Sequence, residues 1–325
     1  MQILDVKNEK DWADFLALPG VVYKNDPYYR PTNPRNEIEM LIKENPAVRV
    51  LLIKDVARMV LIPSQDVGKI GYFEAVNDLD AVKMLFNEAI NYFKRMGVRS
   101  IIGPMNNDTW HSYRFNLGPY TQPFLFEPYN PSYYPALWEG YGFVGVADYY
   151  SRCIEDISAM PSKLEEKYHG AIAKGFKFRT FESESFDNDL KIIYDISCKA
   201  FVDNFLYTEI SFEDFYALYE PAKKIIVPQL IVFVMDANNE PVGFFFGIPN
   251  DKKTFNGKTV AIVPGYRQYG LASAMQYLVY QNALKMGFSK ANLCLIHQGN
   301  PSDKINKELG NITRTYRLYE YGIKL

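Results

Sequence analysis

The chain is 325 residues long, more than one compact core usually holds and enough for two. Its formal net charge is −2, so there is no bulk field of one sign to gather nucleic acid or an acidic membrane surface, and no nucleic-acid partner is expected. Cys153, Cys198 and Cys294 lie far apart with no metal-ligand spacing; no metal is expected, and a reducing compartment suits them. The start MQILDVKNEKDWADF carries charges where a signal peptide needs an apolar core, and the longest dense apolar run, IIVPQLIVFVM (225–235), is too short to span a bilayer. No transmembrane segment is expected, and a cytoplasmic protein is.

In chain order, GKIGYFEAV from Gly68 reads as a strand and leads into AVKMLFNEAINYFKRMG, apolar at helical spacing and stopped by Gly97. SIIGPM (100–105) is the next strand. A segment rich in rings follows, MNNDTWHSYRFNLGPYTQPFLFEP (105–128), and Asn130-Pro131-Ser132 then opens a short helix, SYYPALWEGYG, ended by Gly142. Most of these rings suit core packing.

In the second half FKFRTFES (176–183) alternates as a strand, and FDNDLKIIYDISCKAFV and SFEDFYALYEPAKKI read as helices. QLIVFVMDA and PVGFFFGIPN flank the turn signal at Ala237–Glu240 as a hairpin. TVAIV (259–263) is a β-branched strand ended by Pro264, LASAMQYLVYQNALKMG a helix to Gly287, and ANLCLI (291–296) a strand. Asn300-Pro301-Ser302 opens a helix over SDKINKELG, and a closing pair of strands falls within TRTYRLYEYGIKL.

The two halves share an order of parts. Their paired strands and helices are offset by about 190 residues, but their Asn-Pro-Ser triplets by only about 170, so the first copy carries about 20 extra residues, at 105–128. A duplication predicts two α+β domains with mixed sheets, over 1–147 and 148–325.

Between strand and helix in the second copy runs VPGYRQYGLASAM (263–275). A helix N-terminus leaves N–H groups unpaired and carries partial positive charge, so a tight loop into it can hold phosphate. Gly270 lets the backbone approach an anion, Ala272 and Ser273 keep the first turn small, and Arg267 adds charge at the rim; a plain helix entry with a solvated arginine is the alternative. In this context Arg267, Gly270 and Ala272 resemble the Arg/Gln-x-x-Gly-x-Gly/Ala signature of the GNAT superfamily of acyltransferases, and the element order from 176 to 325 resembles the GNAT fold. GPMNNDTW and EPYNPSYYPALWEGYGF are similar to the N-terminal half of bacterial tandem-GNAT proteins.

The resemblance implies an acetyl-CoA or longer acyl-CoA donor, with backbone at Ile262 and Val263 along the pantetheine, backbone from Gln268 through Tyr269, Gly270 and Leu271 to Ala272 and Ser273 around the pyrophosphate, and Asn300 touching the pantetheine. In the first copy the matching loop, EAVNDLDAV (74–82), lacks glycine and carries Glu74, Asp78 and Asp80, so it should not bind CoA. Such an inert copy would form a wall of the acceptor site.

The family's usual thiolate acid is a Tyr on the helix after the final Asn, and SDKINKELG has none. His297, after ANLCLI, is a candidate general base, or else a hydrogen-bonded strand terminus; Tyr319 is a candidate thiolate donor, or else packing. His169 reads as solvated. Asn106, Asp108, Trp110, His111, Tyr129, Asn130 and Tyr134 form a candidate acceptor pocket suited to an amine with an apolar part, or else a helix cap and junction packing. The reading is an N-acyltransferase acting on an unidentified amine. Acylation of a lipid amine such as a long-chain base, Fem-like aminoacyl transfer and a non-catalytic acyl-CoA-binding module are the alternatives.

Overall fold

RVLLI and ARMVLIP are dense in aliphatic and β-branched residues, which pack well on a pleated surface covered on both faces. They form a buried antiparallel hairpin, β2 (Arg49–Ile53) and β3 (Ala57–Pro63). In this computed structural model residues 1–300, 303 and 309–324 are described, and the chain divides into two units, Met1–Tyr149 with Arg314–Leu325, and Tyr150–Thr313.

In the first unit the strand order is β1 (Leu4–Asp5), β2, β3, β4 (Val67–Ala75), β5 (Ser100–Gly103) and β13 (Asn311–Gly322), with β6 (Phe115–Gly118) also on β13. β4 and β5 run parallel and are joined by α3 (Leu79–Arg95). Its inward residues Ala81, Val82, Leu85, Phe86, Ala89 and Phe93 recur at helical spacing and meet Trp138 of α4 (Tyr134–Tyr141). Rings such as Phe86 and Trp138, fully buried here, each contribute about 1.5–3 kcal/mol by leaving water. A second cluster joins α1 (Glu9–Val22) and α2 (Arg35–Glu44), through Trp12, Phe15 and Ile38, to Val50, Val60 and Tyr72 of the sheet.

In the second unit β8 (Lys177–Thr180), β9 (Ile231–Met235), β10 (Pro241–Pro249), β11 (Thr254–Ile262) and β12 (Lys290–His297) follow one another in the sheet. The expected hairpin is β9–β10, and the parallel pair β11–β12 is joined by α8 (Leu271–Lys285). α5 (Met160–Ala173) and α8 pack together over the core of Val232, Phe245, Met275 and Tyr280; α6 (Phe186–Phe201) lies on β10 and β11 and carries α7 (Phe212–Tyr219). The helix expected over SDKINKELG lies outside the described residues, apart from Asp303, Leu309 and Gly310.

Two expectations are corrected. The closing segment is one strand, β13, rather than two. From Arg314 onward it belongs to the first unit, not the second, because it pairs antiparallel with β5 at Tyr319–Gly322 and with β6 at Thr315–Arg317. Likewise β7 (Val144–Ile154) starts in the first unit and from Tyr150 belongs to the second.

Candidate functional site

The parallel ladder between β11 and β12 stops at Gly257 and Leu293 although both strands continue. On its other side β11 stays paired to β10 as far as Ile262, with one bulge at Lys258, between the pairs Phe246–Thr259 and Gly247–Gly257. β12 meanwhile bends at Leu295, whose φ is 57°, and Leu295 N–H donates to Ser151 Oγ at 3.0 Å. The outer edge of Lys258–Ile262 is thus released from the ladder.

β11 ends in a 3-10 turn, Pro264–Tyr269, and Gly270 then enters α8 at φ 70°, ψ 22°. That left-handed backbone favours glycine, and a Cβ there would meet only Lys167 Cδ at 3.7 Å. The first bond back into the helix is Ala274 N–H to Gly270 O, at 3.2 Å, so the N–H groups of Leu271, Ala272 and Ser273 precede any intrahelical acceptor. No side chain caps this end and no acid lies in its first turn. Arg267 does not face it. Its Nη2 donates to Ala200 O at 2.7 Å and its Nε to Ile262 O at 3.3 Å, tying the turn to α6, while Gln268 Nε2 donates to Gly265 O at 2.9 Å. Tyr269 packs on Phe176. The side chains of the motif hold the turn; its backbone is what faces outward.

At the end of β12, His297 Nδ1 lies 3.1 Å from Asn300 Oδ1, and its ring is nearly parallel to Phe205. An amide oxygen can only accept, so Nδ1 carries the proton and Nε2 the lone pair. Tyr319 is a correction. It is fully buried in the first unit's core against Trp138, and its hydroxyl donates to Glu139 Oε1 at 2.8 Å, so it is packing and no thiolate donor for the second unit.

The first unit repeats the strand bulge and changes the junction after it. In β4 the residues Tyr72 and Phe73 both face Met59 of β3, and Tyr72 has φ 51°. The gap beside β4 is filled by the ring-rich segment. Tyr72 N–H donates to Asn106 Oδ1 at 2.7 Å, and a Cβ on Gly71 would come within 2.5 Å of Met105 O. At the start of α3, Asp78 caps the helix by accepting from Ala81 N–H at 3.0 Å, and Asp80 stands in the first turn. Glu74, expected beside them, is instead on β4.

Glu74 lines a cavity of about 100 Å³ together with Tyr23, Asn106, Arg114, Tyr129, Asn130 and Tyr134. Tyr134 donates to Glu74 Oε2 at 2.6 Å and accepts from Ala75 N–H at 2.8 Å; Tyr23 also bonds the carboxylate. Burial pushes the Glu74 carboxyl above its ordinary range, and the Arg58 charge and the two hydroxyls only partly offset that. Tyr129 donates to Asp26 Oδ2 at 2.5 Å, and Asn130 Oδ1 accepts from Asn116 N–H at 2.7 Å, fixing β6. Asp108, Trp110 and His111 do not reach the cavity. Asp108 Oδ1 accepts from the backbone N–H groups of Trp110 and His111 and lies 2.7 Å from His111 Nδ1, a closed local turn. Burial would raise the Asp108 carboxyl, but these bonds and the imidazole hold it below its ordinary value.

No protein-family model matches the chain. Among curated proteins it is 22% identical over 261 residues to Protein YghO of Escherichia coli K12, covering 75% of this chain and 67% of that one. It is 20% identical over 270 residues to the bacterial ceramide synthase of Caulobacter vibrioides, covering 77% and 70%. Of solved structures, a tandem GNAT protein from the clavulanic acid biosynthesis pathway superposes with a TM-score of 0.55 at 9% identity, over 100% of this chain and 99% of that one. A GCN5-related N-acetyltransferase from Sphaerobacter thermophilus gives 0.53 at 13% identity, over 100% and 96%. A conserved protein of unknown function from Enterococcus faecalis V583 gives 0.57 at 10% identity, over 99% and 72%.

The chain has a tandem GNAT fold. Both GNAT copies keep the bulged strand and its parallel partner, and only the second leaves the following helix uncapped. Three residues of these GNAT copies, Tyr23, Arg114 and Lys167, escaped the sequence reading, and Glu74 was read there only as an acid of the loop before α3. Glu74 left one signal, since a lone acid two residues beyond Tyr72 in an otherwise apolar strand shares that residue's side of the pleat.

Proposed function

We propose that the protein is an acyl-CoA-dependent N-acyltransferase whose donor binds the second unit. The observation that carries this reading is the α8 N-terminus: three unpaired N–H groups, a left-handed glycine and no competing acid, at the end of a strand already freed from its neighbour. Such an end attracts a pyrophosphate, and the free edge of β11 offers amide partners to the pantetheine arm. Lys167, an exposed side chain beside Gly270, adds a positive charge. Asn300 is the further candidate contact for the arm.

In the reaction an amine nitrogen forms a bond to the thioester carbonyl carbon, the carbon–sulfur bond breaks, the amine loses a proton and the leaving thiolate gains one. His297 is the candidate proton acceptor, held by Asn300 in the tautomer that leaves Nε2 basic. For the acceptor the finer reading is a lipid amine. It is favoured by the likeness to a bacterial ceramide synthase, ceramide being the amide of a long-chain amino alcohol. Among the described residues no helix is long and apolar enough to cross a membrane.

The test is thiol release from acetyl-CoA and from a long-chain acyl-CoA mixed with the protein and a panel of amines that includes a long-chain base. Release that depends on amine is the expected result. Saturable CoA binding with no release on any amine would mean a binding module instead.

A further inference from the structure

We propose that the cavity of the first unit binds the head of a small primary amine that also carries an acceptor oxygen, with Glu74 as its counter-charge. Two oppositely charged side-chain types, the Glu74 carboxyl and the Arg114 guanidinium, share one lining and make no ion pair with each other. The Glu74 carboxylate receives hydroxyl bonds from Tyr134 and Tyr23, and among the described residues it makes no ion pair within 4.0 Å. Arg58 stands opposite it in the β3–β4 register but donates to Phe15 O and lies over the Phe15 ring. A carboxylate has room for about four hydrogen bonds, so two hydroxyls leave half of its capacity open.

The other charge is Arg114, which is only 8% exposed. Its guanidinium is sandwiched between Tyr113 and Tyr149, 4.1 and 4.2 Å from the ring centroids, and donates to Tyr113 Oη at 2.9 Å, while its Nε finds no acceptor. Arg114 and Glu74 line the same cavity without pairing with each other. The complement of such a lining is a cation at one end and an oxygen at the other. Size narrows the class further, because a cavity of about 150 Å³ accepts a six-carbon ring. The present cavity, at about 100 Å³, holds about four non-hydrogen atoms by that measure. That is the size of an aminoalkyl head group with one oxygen. A larger molecule would seat its head here and leave the rest outside.

The inference deepens the acyl-transfer reading by naming its acceptor class and rests on that reading for the link to turnover; binding itself is measured without acyl-CoA. The probes are 2-aminoethanol, glycine, propylamine and propan-1-ol, titrated against the full chain with ligand-observed NMR. The expected result is binding of 2-aminoethanol, weaker binding of propylamine, weakest binding of propan-1-ol, and a loss of at least about ten-fold in amine affinity for Glu74→Gln, one charge-assisted bond's worth. Glycine above 2-aminoethanol would assign the oxygen to a carboxylate, and the reverse order to a hydroxyl. Equal binding of propan-1-ol and the amines, or undiminished amine affinity in folded Glu74→Gln, overturns the proposal. Should Glu74→Gln fail to fold, a crystal of the wild-type protein with 2-aminoethanol decides: nitrogen density at Glu74 supports the site, and an empty cavity sinks it. Failure here leaves the CoA reading standing, whereas amine binding without CoA binding removes the transferase reading alone.

Discussion

The two strand-to-helix junctions, β4 to α3 and β11 to α8, occupy the same place in two copies of one fold and end in opposite electrostatic states. In the second copy a left-handed glycine delivers the chain into α8 with its leading N–H groups unspent. In the first, Asp78 takes up Ala81 N–H and brings a negative charge to the same position, with Asp80 two residues further on. A carboxylate there stabilises the helix itself and removes the attraction for an external anion. The first copy has meanwhile kept its bulged strand, and a carboxylate, Glu74, lines the cavity beside it. A duplicated fold can thus divide its labour by changing which junction is left unsatisfied.

The sharpest way to break this comparison is Gly270→Glu, which puts a β-carbon into left-handed backbone and a negative charge at the open helix end. CoA affinity by calorimetry should fall by at least about 100-fold, the worth of two charge-assisted bonds. Unchanged affinity in a folded protein would falsify the pyrophosphate assignment, and a wild-type stoichiometry of two rather than one would abolish the asymmetry.

Tyr319→Phe and Asp78→Ala are smaller. Tyr319→Phe removes one buried hydrogen bond and should cost about 0.5–1.5 kcal/mol in urea unfolding while leaving thiol release unchanged; a loss of turnover with unaltered stability would return this tyrosine to the chemistry. Asp78→Ala removes a cap, for about 1 kcal/mol. It should not create a second CoA site, because the turn before α3 still lacks a glycine.

The smallest effect concerns pH. Glu74 is pushed above the ordinary carboxyl value in the folded state, so folding takes up a proton, and stability falls as pH rises from about 4.3 through the folded value. Glu127, raised chiefly by burial despite Tyr316 and Arg314, acts in the same sense. Carboxyls held low, such as Asp108, act in the opposite sense and only in more acid solution. Thermal midpoints between pH 5 and 8 should therefore decline less steeply in Glu74→Gln. At pH 7.5 that variant should melt about 2–4 °C higher if about 1 kcal/mol of buried charge is relieved. A lower midpoint would mean that the carboxylate is held for stability.

Much of this was legible in the sequence because strand, glycine and helix were contiguous. The β11–Gly270–α8 junction needed only local spacing, and the duplication needed only the order of parts. The cavity was legible only in part. Asn106, Tyr129, Asn130 and Tyr134 line it, while Asp108, Trp110 and His111 spend their polar groups on one another. Rings and polar atoms close together in sequence give no hint of which face inward. Glu74 was misplaced because EAV was read both as the end of the strand and as the start of the loop, and the residue lies on β4, four positions before the cap Asp78. Tyr319 was misjudged for a different reason: the partner of its strand lies in the other half of the chain, and no local pattern encodes a pairing at that distance.

That pairing also sets an order of events during synthesis. The Tyr319 hydroxyl bonds Glu139, 180 residues earlier, and Tyr316 bonds Glu127, 189 residues earlier, both inside the first unit's core. Domains usually fold as they leave the ribosome, N-terminal first. Here the core of the first unit is incomplete, with Phe115 and Trp138 lacking the ring that packs on them, until the segment that carries Tyr319 is released. A nascent chain stalled at residue 313 would carry every residue of the second unit and still leave the first one open, exposing apolar surface to chaperones and proteases alike.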